Sequence, residues 1–434
     1  MIIMQMTITE KILAKASGKK DAKPGENLWV SADILMTHDV CGPGTIGIFK
    51  REFGAGSKVW DRKRVIIIPD HYIFTEDKKC QRNVDELRNF AKEQNIKYFY
   101  DPGTETYSGV CHVTLPEKGH CRPGEVLFGT DSHTCTHGAF GEFATGVGNT
   151  DAAFIMGTGK LLIKVPASMK FVIENELPKF VTAKDIILRF IGDIGVDGAT
   201  YMAMEFAGST IDSLSIDERM TICNMAIEAG AKNGIIAPDT KTLKYVKSRT
   251  KGKFEVFKSD LDAIYIATKT YDAKKLMPLV AMPFSPDKVK TAREMKNFSI
   301  DRAYIGSCTG GKISDFIMAA SILKGAKVKV KTFIVPATVE VEQAIKTKKI
   351  GGKTLLEIFA EAGCEEPAPP SCAACLGGPF DTYGRSNNDE ICISTTNRNF
   401  PGRMGSKNSQ TILASPFTAA ASAIRGKITD PNDL

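Results

Sequence analysis

Short apolar runs that stop abruptly at reactive polar residues recur along this chain. Arg64-Val65-Ile66-Ile67-Ile68 ends at Pro69-Asp70-His71, and Glu125-Val126-Leu127-Phe128-Gly129 ends at Thr130-Asp131-Ser132-His133-Thr134. Arg302-Ala303-Tyr304-Ile305-Gly306 ends at Ser307-Cys308, and Glu390-Ile391-Cys392-Ile393-Ser394 ends at Thr395-Thr396-Asn397-Arg398. Continuous apolar runs of this length, alternating with helical patterns, predict parallel strands covered on both faces. Ligands of such sheets gather outside the carboxyl ends of the strands. Four strand ends carrying His, Asp, Cys and Arg therefore point to one shared crevice.

Helix starts are marked by capping patterns at Thr7-Ile8-Thr9-Glu10, Thr182-x-x-Asp185 and Ser215-x-x-Glu218. They predict an amphipathic helix through Ile12-Leu13-Ala14, a helix from Thr182 to Ile194, and a helix through Met220, Cys223 and Ile227. On the last of these, Asn224 and Glu228 stand four apart and share a face, which taken alone reads as a solvated polar stripe. Val165-Pro166 closes a glycine-rich first part, and Pro278, Pro283 and Pro286 punctuate a linker. These breaks divide the chain into three expected units, 1–166, 167–283 and 284–434. A length of 434 residues agrees, being too great for one core. The fold class is α/β with mostly parallel sheets.

Composition narrows the setting. Hydrophobic content of 43% and charged content of 25% are ordinary for a soluble globular chain. Eleven cysteines, odd in number and scattered, fit reduced thiols in a cytosol-like compartment. No apolar run approaches the ~20 residues of a membrane helix. The start lacks the pattern of a secretion signal or a transit peptide. The expected setting is therefore the cytoplasm or a plastid stroma, without membrane contact. A formal charge of +7 suits a small anionic ligand. Lys327-Val328-Lys329-Val330-Lys331 and Lys346-Thr347-Lys348-Lys349 lack interleaved aromatics and read as solvated faces, so nucleic acid is not the expected partner.

The chemistry concentrates at Cys372-Ala373-Ala374-Cys375-Leu376-Gly377-Gly378, read together with Cys308. Two thiolates two residues apart can grip one metal centre, and the glycines let backbone N–H groups approach it. A single C-x-x-C also fits half a zinc ribbon or a redox pair. Three cysteines on an iron cluster would leave one iron open as a Lewis acid. Among six histidines, His71 and His133 lie beside Asp70 and Asp131 at strand ends, where a carboxylate orients an imidazole. In isolation His112 reads as a satisfied core histidine, and His38, His120 and His137 as structural or surface residues. Arg398 and Arg403 are two guanidinium forks suited to carboxylates. Neither a Gly-x-Ser-x-Gly elbow nor a P-loop is present.

Asp131-Ser132-His133-Thr134, Gly306-Ser307-Cys308-Thr309, Cys372-x-x-Cys375-Leu376-Gly377 and Asn397-Arg398-Asn399-Phe400-x-Gly402-Arg403 occur in this order, and together they resemble the aconitase superfamily. The likeness runs from the N-terminal helix to Ser415-Pro416 and the last helix. Thr37-His38-Asp39-Val40-Cys41-Gly42-Pro43 and Cys308-Thr309-Gly310-Gly311-Lys312 give it a plastid and cyanobacterial style. The branch it resembles most interconverts 2- and 3-isopropylmalate in leucine biosynthesis; homoaconitate and methylmalate or citraconate hydratases are neighbouring branches. The resemblance implies a three-domain architecture around a central cleft and a 4Fe–4S cluster on Cys308, Cys372 and Cys375. It implies carboxylate–histidine pairs Asp70 with His71, Asp131 with His112, and Glu228 with His133. It also gives Ser132, Arg398 and Arg403 to substrate carboxylates, and Asn224 and Asn397 to the surroundings of the cluster. His112 and Glu228 thereby move from background to site. Single-chain relatives continue into a fourth, swivelling domain, whereas this sequence stops at Leu434. A separate small subunit is therefore the expected partner, and a small anionic hydroxy-dicarboxylate the expected substrate. Many members carry Asn-Gly-Arg where this chain has Gly310-Gly311-Lys312.

Overall fold

A computed structural model describes residues 5–434. Three main sheets organise them; strand ends of the first and third, and a helix end and turn beside the second, meet in one region. In the first, five parallel strands run in the order Tyr98–Phe99, Val65–Ile67, Ile34–Thr37, Val126–Gly129, Phe143–Gly146. Val65, Ile66, Ile67, Val126, Leu127 and Phe128 are all fully buried, as expected for strands covered on both faces. The three central strands end at His38-Asp39, Asp70-His71 and Asp131-His133. Adjacent strands therefore deliver these groups side by side.

The second sheet is also all parallel, in the order Asn233–Ile236, Ala203–Ala207, Ser168–Glu174, Ala267–Asp272. Helix Ala183–Ile194 starts at Thr182 with a reciprocal capping box to Asp185, as the sequence predicts. Helix Ile216–Asn224 is capped by Ser215 and Glu218. It stops earlier than expected: Met225–Ala229 is a 3₁₀ turn, so Glu228 leaves the helical face it would share with Asn224. Both are buried instead of solvated.

The third sheet has six strands, in the order Val289–Thr291, Leu279–Ala281, Gln410–Ala414, Ile391–Ser394, Arg302–Gly306, Lys331–Val335. Its last four strands are parallel, and Leu279–Ala281 joins antiparallel on both sides. Cys308 follows Arg302–Gly306, and Asn397-Arg398 follows Ile391–Ser394. Lys327, Lys329, Lys331, Lys346, Lys348 and Lys349 are exposed, as solvated faces should be. No described helix is long and apolar enough to cross a membrane.

The first and third sheets touch at Gly109. Val110 N donates to Ala337 O at 2.7 Å, and Val339 N donates to Ser108 O at 2.9 Å. Gly109 has φ +123°, and a Cβ there would lie 2.6 Å from Thr338 Cα and closer still to Ala337 O. Only glycine suits both the backbone and the contact. Gly109→Ala is expected to destabilise the chain by about 2–3 kcal/mol. Thermal denaturation with retained far-UV circular dichroism checks this.

Candidate active site

Asp131 sits at the end of the strand Val126–Gly129 and caps the 3₁₀ helix Ser132–Phe140. Its Oδ1 accepts from His133 N at 2.7 Å and from His112 Nε2 at 2.9 Å. The Nε2 atoms of His38 and His71 each lie 3.9 Å from its other oxygen. Burial alone would raise this carboxyl, but hydrogen bonds from His112 and His133 hold it well below the usual carboxylate range. Its side chain is 16% exposed, against 3% for His112 and 4% for His133. The anion therefore faces the cleft while the imidazoles are packed behind it.

Two further pairs complete the set. His71 Nδ1 donates to Asp70 Oδ1 at 2.7 Å, and Asp70 Oδ2 accepts from Cys111 N at 2.7 Å, capping the helix that carries His112. His133 Nε2 donates to Glu228 Oε1 at 2.8 Å, and Arg398 Nε reaches the same oxygen at 2.7 Å. Burial raises Glu228, yet His133 and Arg398 bring it below its ordinary value. Arg403 Nε is buried without a protein partner. Burial and then Arg398 lower the Arg403 guanidinium, leaving a cation short of an anion. Ser132 lies partly exposed beside Asp131.

His38 and Asp39 enter the site although the sequence reading left them outside it. The His38 ring stacks 4.6 Å from His71, and the side chain is 2% exposed. Asp39 accepts from the backbone N–H groups of Asp70 at 2.8 Å, His71 at 3.0 Å and Tyr72 at 2.6 Å. The signal was the run Ile34-Leu35-Met36-Thr37, a fully buried strand ending at them. His120 is elsewhere, bonded to Tyr100 Oη at 2.7 Å. His137 is buried against Cys121 Sγ at 3.3 Å.

The thiols meet the same region. Cys308, Cys372 and Cys375 are 2%, 4% and 3% exposed and belong to one buried cluster with Ile68 and Cys111. Cys372 N donates to Asp70 O at 2.8 Å, joining the cysteine loop to the loop of the Asp70–His71 pair. The sulfurs of Cys372 and Cys375 are paired with each other as a disulfide, with Cα atoms 5.5 Å apart. In the reduced form that spacing lets both sulfurs address one centre. Ser307, at φ +74°, sets its Oγ 3.6 Å from Cys308 Sγ and 3.9 Å from Cys372 Sγ. Asn224 Nδ2 and Asn397 Nδ2 donate to Cys308 Sγ at 3.2 and 3.4 Å. Three buried sulfurs beside amide and hydroxyl donors fit an iron–sulfur cluster, whose sulfur atoms take such hydrogen bonds.

The departure at Gly310-Gly311-Lys312 has a steric reason. A Cβ on Gly310 would fall inside the Thr395 side chain. The amide donors to Cys308 are Asn224 and Asn397.

Burial pushes the His71 imidazole down, but Asp70, then Asp131 and Asp39, outweigh it and hold it up to about 9 from an ordinary 6.5. Below pH 6.5 folded and unfolded chains both carry this proton, and its stabilisation is complete. Between 6.5 and 9 only the folded chain keeps it, so stability falls as pH rises, by on the order of 3 kcal/mol from this group. Urea titrations of the metal-free chain and of His71→Gln check this: the wild-type advantage is expected to shrink across that window.

Residues 10–426 match the aconitase family (aconitate hydratase). The chain is 59% identical to the 3-isopropylmalate dehydratase large subunit, chloroplastic, of Arabidopsis thaliana, covering 99% of this chain and 87% of that one. It is 46% identical to the 3-isopropylmalate dehydratase large subunit 1 of Methanopyrus kandleri and 48% identical to that of Pyrococcus furiosus, each over 99% of both chains. The chain belongs to the aconitase family.

Proposed function

We propose that this member of the family is the cluster-bearing large subunit of a hydro-lyase that interconverts 2- and 3-isopropylmalate in leucine biosynthesis. The names of the relatives support the substrate and the separate small subunit. The observation that carries the chemistry is the meeting of three carboxylate–histidine pairs with three cysteines at the strand ends of two sheets. Cytoplasm or plastid stroma remains the proposed setting, and 1–166, 167–283 and 284–434 the proposed domains.

Cys308, Cys372 and Cys375, reduced, would hold a 4Fe–4S cluster, which when bound supplies a Lewis acid for the hydroxyl of the substrate. The chain's own groups handle protons and orientation. His71 keeps its proton at neutral pH because Asp70, Asp131 and Asp39 surround it, so Nε2–H is available to the departing hydroxyl oxygen. Asp70 orients the ring by accepting the Nδ1–H hydrogen bond at 2.7 Å. Asp131, anionic and partly open to the cleft, accepts a hydrogen bond from the hydroxyl or the released water, with His112 and His133 holding it in place. Arg403 has an unmatched buried Nε, and Arg398 is fixed through Nε by Glu228, leaving its terminal nitrogens for a carboxylate. Ser132 adds a hydroxyl at the cleft edge. Removal of the C–H proton falls to a base on the small subunit.

Anaerobic reconstitution with iron and sulfide, with and without the small subunit, followed by an isopropylmalate assay, tests the reading. Activity is expected with both components present. Turnover of homoaconitate or citraconate but not isopropylmalate would overturn the substrate. His71→Asn is expected to lower kcat by about 10²–10⁴ with KM little changed. Arg403→Ala is expected to raise KM by roughly 10-fold to 100-fold, the loss of a charged hydrogen bond. Steady-state kinetics on the reconstituted complex separate the two effects.

A further inference from the structure

Two lysines lie wholly inside the protein beside the cysteine site. Lys184, on helix Ala183–Ile194, and Lys312, preceding helix Ile313–Leu323, are each 1% exposed. Lys184 Nζ donates to Thr396 O at 2.7 Å, Thr395 O at 2.9 Å and Thr309 Oγ1 at 3.3 Å. Lys312 Nζ donates to Cys308 O at 3.1 Å and Thr221 Oγ1 at 3.0 Å, with Asp315 Oδ2 at 3.0 Å. Thr309 Oγ1 donates in turn to Thr395 O at 2.8 Å, tying the two loops together. Lys184 thus crosses from a helix of the second sheet to strand-end loops of the third, while Lys312, at the start of a helix in the third sheet's core, ties the Cys308 carbonyl to Thr221 on helix Ile216–Asn224. The carbonyls they hold belong to Cys308 and to the two residues before Asn397.

The charge balance is unusual. Lys312 has Asp315, but Lys184 makes no described contact with a carboxylate; its acceptors are all neutral oxygens. A buried ammonium without a counter-charge costs several kcal/mol, and burial, then Lys312, bring Lys184 down to about 7 from an ordinary 10.5 in the cluster-free chain. Neutral side chains could join the same loops without that cost. Three thiolates brought together nearby carry the opposite problem, since their charges repel one another.

We propose that Lys184 and Lys312 form a buried cationic clamp for the bound cluster. They fix the carbonyls of Cys308, Thr395 and Thr396, so that Cys308 and Asn397 keep their facing positions. Lys184 also supplies positive charge that offsets the thiolates once the cluster is in place. This rests on the reading that Cys308, Cys372 and Cys375 hold a 4Fe–4S cluster.

The test compares wild type with Lys184→Met, each purified as the full chain and reconstituted anaerobically with iron and sulfide. Iron per chain, the rate of iron loss to a chelator, and the melting temperature of the metal-free chain are measured. Metal-free Lys184→Met is expected to melt no lower than wild type, because removing an uncompensated charge relieves the apo fold. Its reconstituted form is expected to lose iron at least tenfold faster. Wild-type iron retention in a folded Lys184→Met chain would overturn the clamp. A lower apo melting temperature with unchanged iron loss would also overturn it, by making the lysine a plain structural link. If Lys184→Met does not fold, Lys312→Met carries the iron-retention test with the same two outcomes. Failure of wild type itself to take up iron would sink the cluster reading instead, so the two failures are distinguishable.

Discussion

The site depends on one buried anion. Asp131 gathers the imidazoles of His112, His133, His71 and His38 around a single carboxylate. Its charge is kept by hydrogen bonds from two of them, and that same charge helps His71 keep its proton. Protonation states of neighbouring groups are thus set against one another: an anion well below its usual range beside a cation well above it. Such separation marks sites built for proton transfer. It follows from topology, because the three central parallel strands of one sheet release their polar ends at adjacent positions.

The thiol side is built by a different route. Cys308 reaches its place through a left-handed residue, Ser307, directly after a strand. Its sulfur is met by two amide groups, Asn224 from a helix of the second sheet and Asn397 from the neighbouring strand end of its own sheet. The cysteine loop is joined to the Asp70 loop by one backbone hydrogen bond, from Cys372 N to Asp70 O. The proposed cluster loop and the proposed acid are therefore mechanically continuous.

Much of this was legible in the sequence, because apolar runs and the residues that end them are local properties. The four strands read from the apolar pattern are present to within a residue or two at each end, all parallel to their sheet neighbours. What escaped depended on packing. Ile34-Leu35-Met36 is as long as the runs that were recognised, but only packing shows that His38 and Asp39 after it meet Asp70, His71 and Asp131. The helical spacing of Asn224 and Glu228 predicted one shared, solvated face, whereas the turn at Met225, a tertiary effect, buries both and sends one to Cys308 and the other to His133. Lys184 looks like any solvated helical lysine, and only the third sheet's loops bury it.

Asp39 fixes how the site can change. By accepting three successive backbone N–H groups it locks the Asp70–Tyr72 turn without engaging any side chain of that turn. The floor of the crevice is thereby a rigid casting that adapts little to the outline of whatever rests on it.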